Sequence, residues 1–139
     1  MKVTKPIVND MGRQKLLIVD DDCNWTDALK LFFRDKYEVA VVNSAAEALE
    51  QIRSDAPDAL IVDLVMPTMD GFGLMRRLRD DDARVPTILL TGWKTAEVEQ
   101  CAESFGCAAV LAKPVEPDEL ERVVSTAVDS KRKQYAVVT

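Results

Sequence analysis

Leu60-Ile61-Val62-Asp63-Leu64-Val65-Met66-Pro67-Thr68-Met69-Asp70-Gly71 is the stretch whose reading decides the fold. An apolar run stops at a carboxylate, and a Met-Pro turn and an Asp-Gly pair follow before the next amphipathic segment. A continuous aliphatic run of this length suits a central parallel strand covered on both faces. Three other runs also stop at reactive side chains. Leu16-Leu17-Ile18-Val19 stops at Asp20-Asp21-Asp22, Thr87-Ile88-Leu89-Leu90 at Thr91-Gly92, and Ala108-Ala109-Val110-Leu111-Ala112 at Lys113-Pro114. If these runs are parallel strands, the four groups gather at one sheet edge, where open α/β sheets bind ligands.

Working outward, the segments between the strands carry helical signals. From Asp22 to Asp35, Trp25, Ala28, Leu29, Phe32 and Phe33 recur at the spacing of one buried face. Tyr37 to Val42 is β-branched enough for a second strand. Ser44-Ala45-Ala46-Glu47 matches a capping box for a helix that turns Ala48, Leu49 and Ile52 inward and ends before Pro57. Ala59 to Val62 is the third strand. A third helix is expected from about Phe72 to Leu78, exposing Arg76, Arg77 and Arg79, and Asp80-Asp81-Asp82 reads as a solvated loop. Val85 to Leu90 is the fourth strand, with Pro86 tolerated near its start. Thr95 to Phe105 is a helix capped by Gly106, and 108–112 is the fifth strand. Pro117 opens a last helix with an apolar stripe of Leu120, Val123, Val124, Ala127 and Val128. Five βα units imply a doubly wound parallel sheet with helices on both faces. The expected organisation is a flexible arm over residues 1–14, one domain over 15–130, and a tail or linker from 131 to 139.

The chain has 139 residues, a net charge of −6, no histidine and three cysteines without C-x-x-C spacing. The acidic balance argues against a nucleic-acid surface. The absence of histidine excludes His-based triads, most zinc sites and an internal phosphohistidine. Cys23, Cys101 and Cys107 read as structural thiols of a reducing compartment. No run approaches a membrane span and no signal-peptide core is present, so a cytoplasmic location is expected, with no membrane partner.

The four strand ends carry a coherent chemistry. Asp20, Asp21 and Asp63 at adjacent strand ends would repel one another, by about 4 kcal/mol for two carboxylates 4 Å apart at an effective dielectric near 20. Such a cluster shifts its pKa values, recruits a cation, or both. Oxygen-only ligands favour a hard ion, Mg²⁺ first, with Mn²⁺ as an alternative. Lys113 supplies a second positive charge able to reach a phosphate oxygen, Thr91 offers a hydroxyl, and Gly92 lets backbone approach closely. A nucleophile, a metal and balancing cations are what phosphoryl transfer to a carboxylate requires. Each group also has a bland reading: helix capping for Asp20 to Asp22, a polar strand end for Thr91, a loop for Lys113-Pro114. Their conjunction is what resists one.

Ile18-Val19-Asp20-Asp21, Asp63-Leu64-Val65-Met66-Pro67, Asp70-Gly71, Leu90-Thr91-Gly92 and Leu111-Ala112-Lys113-Pro114 together resemble the receiver domain of two-component response regulators. Asp63 and Thr91 stand 28 residues apart and Thr91 and Lys113 22 apart, which also fits. The resemblance implies a flavodoxin-like (βα)5 sheet in the order 2-1-3-4-5. It implies that Asp63 is the phosphoacceptor, served by a phosphohistidine on a sensor histidine kinase or histidine phosphotransfer protein. By the same resemblance Asp21, Asp63 and the Val65 carbonyl bind Mg²⁺ directly and Asp20 through water. Lys113, before a cis Pro114, holds the phosphoryl group, and Thr91 with the loop after it is the switch. The output would be a switched surface for a downstream target protein or a lost output domain, with a phosphorylation-dependent homodimer as a further option.

Val110 departs from the pattern, because many receivers carry an aromatic there. Val65 and Trp93 occupy positions that in this family influence dephosphorylation. Two other functions compete. One is an interaction module that binds regardless of phosphorylation. The other is a Mg²⁺-dependent phosphatase with an Asp nucleophile, superficially like haloacid-dehalogenase enzymes, although Asn24 stands where that motif has Thr or Val.

Overall fold

Short aliphatic strands and amphipathic helices alternate along the chain as the periodicities require. The structure is a computed structural model that describes residues 13–65 and 70–138, with side chains as far as residue 130. The strands are β1 (Gln14–Val19), β2 (Tyr37–Val42), β3 (Ala59–Asp63), β4 (Thr87–Thr91) and β5 (Ala109–Ala112). The helices between and after them are α1 (Cys23–Phe33), α2 (Ala45–Ser54), α3 (Gly71–Asp80), α4 (Ala96–Ser104) and α5 (Pro117–Val138). All strand pairs are parallel, in the order β2-β1-β3-β4-β5. This is the doubly wound sheet expected from the sequence.

Alternation along the strands divides the core in two. Leu16, Ile18, Ala59, Ile61, Ile88 and Leu90 point to the side covered by α1 and α5. Leu17, Val19, Leu60, Val62 and Leu89 point to the side covered by α2, α3 and α4. Every residue of β3 and β4 is buried, so these central strands cannot shift register without moving apolar side chains out of both layers. Register then fixes the edge. Val19 pairs with Val62, Asp63 with Leu90 and Thr91 with Ala112, so the residues that end these strands share one rim.

Several local expectations are corrected. On α1, Ala28 and Phe32 face solvent, and Thr26 joins Leu29 and Phe33 in the buried stripe. The helix is rotated so that Leu29 and Phe33 centre its buried face, which brings Thr26 and part of Trp25 inward and leaves Ala28 and Phe32 on the outer flank. Phe32 instead lies edge-on to Phe33, 5.1 Å between ring centroids. α3 begins at Gly71 and runs to Asp80, because Asp70 caps it by accepting from the Gly73 N–H at 2.8 Å. The acidic run that follows is only partly loop. Asp80 ends the helix, Asp81 accepts from Arg53 Nη2 at 2.8 Å, and Asp82 takes a left-handed φ of 56°. β4 starts after Pro86, whose carbonyl still accepts from the Leu60 N–H. α5 continues through residues 131–138, the segment expected as a tail or linker. Of the arm expected over residues 1–14, residues 1–12 lie outside the described residues, as does the Met66-Pro67-Thr68-Met69 turn, while Gln14 already belongs to β1. Among the described residues no helix is long and apolar enough to cross a membrane.

Candidate phosphoacceptor and metal site

Asp20 follows β1 and Asp63 ends β3, and these strands are neighbours, so their carboxylates meet without any special loop. Ligand oxygens of Asp20, Asp21 and Asp63 all lie within 4.8 Å of one another. Asp20 is 2% exposed and Asp63 8%, whereas Asp21 is open to solvent. The Lys113 ammonium, delivered by the end of β5, sits 3.2 Å from Asp63 Oδ1 and 3.5 Å from Asp20 Oδ2. Its backbone N–H donates to the Thr91 carbonyl at 2.8 Å, and the Lys113–Pro114 peptide is cis.

The three consecutive aspartates divide their work. Asp22 is the N-cap of α1, its carboxylate accepting from the Asn24 and Trp25 N–H groups at 3.1 and 3.2 Å. Its own N–H donates to Asp20 Oδ1 at 3.0 Å. The helix-capping reading is therefore right for Asp22. It leaves Asp20 and Asp21 to the cluster.

Asp20 Oδ2 is fully buried and receives no hydrogen bond. Burial pushes the Asp20 carboxyl above its ordinary pKa, the Asp22 N–H and Lys113 oppose that, and Asp63 and Asp21 add to it. Lys113 at 3.5 Å is a charge partner for this oxygen but makes no hydrogen bond to it, and a hard divalent cation between Asp20, Asp21 and Asp63 would satisfy it, so the residues present fit such an ion.

Thr91 is buried, and its Oγ1 accepts from the Trp93 N–H at 3.0 Å. Gly92 carries no packing constraint of its own, since a Cβ there would meet no atom within 4 Å. Trp93 is 77% exposed and Val65 64%, leaving two apolar side chains uncovered in the loops after Thr91 and Asp63. The Val65 N–H reaches back to Asp63 Oδ1 at 3.4 Å. Val110 lies away from this rim, half-buried against the α2–α3–α4 layer.

Asn43 and Gly71 also shape the site, and of the two only Asn43 escapes a reading of the sequence. Asn43 Nδ2 donates to the Asp20 carbonyl at 3.1 Å, pinning the loop after β1 to the end of β2. Gly71 lies so close to the site that a Cβ would stand 3.1 Å from Leu64 Cα and 3.2 Å from the Asp63 carbonyl oxygen. The Asp70-Gly71 pair hinted at the second; nothing marked Asn43.

Over residues 16–125 the chain matches the family model of the response regulator receiver domain. The chain belongs to that family. It is 37% identical over 117 residues to a 14.6 kDa protein of Leptolyngbya boryana from the sodA1 3′ region, covering 82% of this chain and 89% of that one. It is 35% identical over 113 residues to the DNA-binding response regulator MtrA of Mycobacterium tuberculosis, covering 80% of this chain but only 49% of MtrA. Against the regulatory protein AtoC of Escherichia coli the identity is 34%, and the matched part is 25% of that protein. The receiver therefore spans half or less of the latter two relatives. Among solved structures, a CheY-like response regulator receiver domain protein of Methanospirillum hungatei superposes with a TM-score of 0.82 at 27% identity, covering 88% of this chain and 98% of that one. The family is one of signalling domains of two-component systems.

Proposed function

We propose that this receiver accepts a phosphoryl group on Asp63 from a phosphohistidine of a sensor histidine kinase or histidine phosphotransfer protein. One observation carries the reading: a buried Asp63 carboxylate held between an acidic pair and the Lys113 ammonium. A carboxylate oxygen of Asp63 attacks phosphorus, the new O–P bond forms as the donor's N–P bond breaks, and the leaving imidazole takes up a proton. Lys113 offsets the charge gathering on the equatorial oxygens. The Thr91 hydroxyl accepts from Trp93 but keeps its own proton to donate to a phosphoryl oxygen.

Asp20, Asp21, Asp63 and the Val65 carbonyl would hold a divalent ion, Mg²⁺ or Mn²⁺. When bound, that ion supplies neutralisation of the carboxylate and phosphoryl oxygens. Thr91 turning toward the phosphoryl group draws the Gly92-Trp93 loop with it and so biases α4, a local charge acting on a two-state element. Val110 offers no aromatic side chain to accompany that movement, so the loop itself is the relay. The domain would act in the cytoplasm on a downstream protein or on an output domain of a longer chain.

The test is transfer from a phosphohistidine-loaded phosphotransfer protein. Phosphoryl should move to the wild-type chain and not to Asp63→Asn, and chelation of divalent ions should stop it. Transfer to Asp63→Asn at the wild-type rate would reject the assignment. Val110 also favours a second reading, binding that ignores phosphorylation. In that case Asp63→Ala would leave partner affinity untouched.

A further inference from the structure

Three hydrogen bonds fix Asp20 in place. Its N–H donates to the Val42 carbonyl at 3.2 Å, which carries the β1–β2 pairing one residue further. Its carbonyl accepts from Asn43 Nδ2 at 3.1 Å, and its Oδ1 accepts from the Asp22 N–H at 3.0 Å. Only Oδ2, buried and without a hydrogen bond, is left over.

Asn43 reaches further than this one carbonyl. The same amide nitrogen stands 3.9 Å from Cys23 Sγ, so a single side chain at the end of β2 spans both ends of the turn over residues 20–23. Asp21 lies inside that turn. It is exposed, so packing does not orient it, and the backbone conformation that Asn43 closes sends its carboxylate toward Asp20 and Asp63. Asn43 is itself held, because its N–H donates to Glu47 Oε1 at 3.3 Å and that oxygen also accepts from Ser44 Oγ at 3.1 Å. The bracing runs from the first turn of α2 across to the acidic turn.

Three carboxylates drawn within 4.8 Å repel, and a turn free to open would relieve the repulsion by letting Asp21 swing outward. A brace against that motion keeps the cluster contracted before any cation arrives, so less ordering is left to be done on binding. Contraction also discriminates between ions. Mg²⁺ demands near-ideal octahedral geometry and short bonds, whereas Ca²⁺ accepts longer and more variable ones.

We propose that Asn43 is a positioning residue for the acidic cluster, raising its affinity for divalent cations and its preference for Mg²⁺ over Ca²⁺. The inference rests on the reading of Asp20, Asp21 and Asp63 as a cation site. It does not require that Asp63 be phosphorylated.

The test is titration of the unphosphorylated full chain with Mg²⁺ and, separately, with Ca²⁺, followed through the amide resonances of Asp21, Asp22 and Leu64. Asn43→Ala and Asn43→Leu, the second close in volume to the native side chain, should each weaken Mg²⁺ binding about tenfold. Ca²⁺ binding should weaken less, so the ratio of the two affinities falls. Gly106→Ala strains the left-handed residue that closes α4 at the opposite end of the sheet. It should lower the melting temperature and leave both affinities in place. Undiminished Mg²⁺ affinity in the two Asn43 variants would overturn the proposal. Equal weakening of Mg²⁺ and Ca²⁺ would overturn it too, because a general loosening of the fold does that without selectivity. Absence of saturable binding to wild type would instead reject the cation site itself, and the inference with it.

Discussion

Asp20 bears the heaviest electrostatic load in the site, and its consequences can be measured without any partner. Its carboxyl pKa is raised, chiefly by burial, so the folded state holds that proton more tightly than the unfolded chain does. Stability on this account falls as pH rises from the ordinary carboxylate range through the raised value, and the cost is fully present above it. In chelator near neutral pH, Asp20→Asn should raise the melting temperature by a few degrees, about 1 kcal/mol, and the gain should shrink as pH is lowered through the carboxylate range. Saturating Mg²⁺ should reverse the order, because wild type gains more from the ion. Thermal unfolding in both buffers decides it, and a less stable Asn variant in chelator would count against the account. Cysteine offers a second residue-scale check. Burial, with Cys101 adding, pushes the Cys107 thiol up to about 11, whereas Cys23 is exposed. At pH 8 only about a thousandth of Cys107 is thiolate, so alkylation followed by peptide mapping should label Cys23 first and Cys107 slowest.

At the scale of elements, the start of α3 and the loop after β4 bound the site. Gly71 opens α3 with its N–H donating to the Leu64 carbonyl at 2.7 Å, and the atoms a Cβ would meet include backbone on the Asp63 side. Gly71→Ala should therefore destabilise by about 1–3 kcal/mol despite alanine's helix propensity, and denaturant titration measures it. A neutral or stabilising effect would mean the β3–α3 junction yields more easily than its packing suggests. Trp93 governs the other loop through its N–H bond to Thr91 and its exposed indole. If the ring folds over the site and obstructs water, Trp93→Ala should speed loss of the phosphoryl group about three- to tenfold, or about 0.7–1.4 kcal/mol of barrier. An unchanged rate in a dephosphorylation time course removes that role.

What the sequence disclosed at this scale follows from local physics. Ser44 caps α2 as expected, accepting from the Glu47 N–H at 3.2 Å, while the Glu47 carboxylate reaches back one residue further, to the Asn43 N–H at 3.3 Å; Gly106 takes the left-handed φ of 74° that closes α4. Caps and apolar strands are written in contiguous residues and could be read. Which flank of an apolar helix face reaches the sheet depends on tertiary packing, so the periodicity of α1 does not show that Ala28 and Phe32 stay outside. Asn43 contacts a residue 23 positions away through a backbone carbonyl, and no local pattern encodes that.

For the whole molecule, parallel topology does the gathering. Four strand ends far apart in sequence become neighbours because the order β2-β1-β3-β4-β5 places β1 beside β3 and sets β4 and β5 next in line. The legible part of the site was its chemistry, since acids, Asp63, Thr91 and Lys113 each terminate a strand. Hidden until the chain is folded was the buried Asp20 oxygen that no hydrogen bond reaches, which argues for a cation.

The central claim is that Asp63 is the residue that becomes phosphorylated. Incubation with Mg²⁺ and a small-molecule phosphodonor, followed by intact mass of wild type and Asp63→Ala, tests it most directly. The account predicts one phosphoryl group on wild type, none on the variant, and none on wild type when divalent ions are chelated. Incorporation into Asp63→Ala at the wild-type level would contradict it.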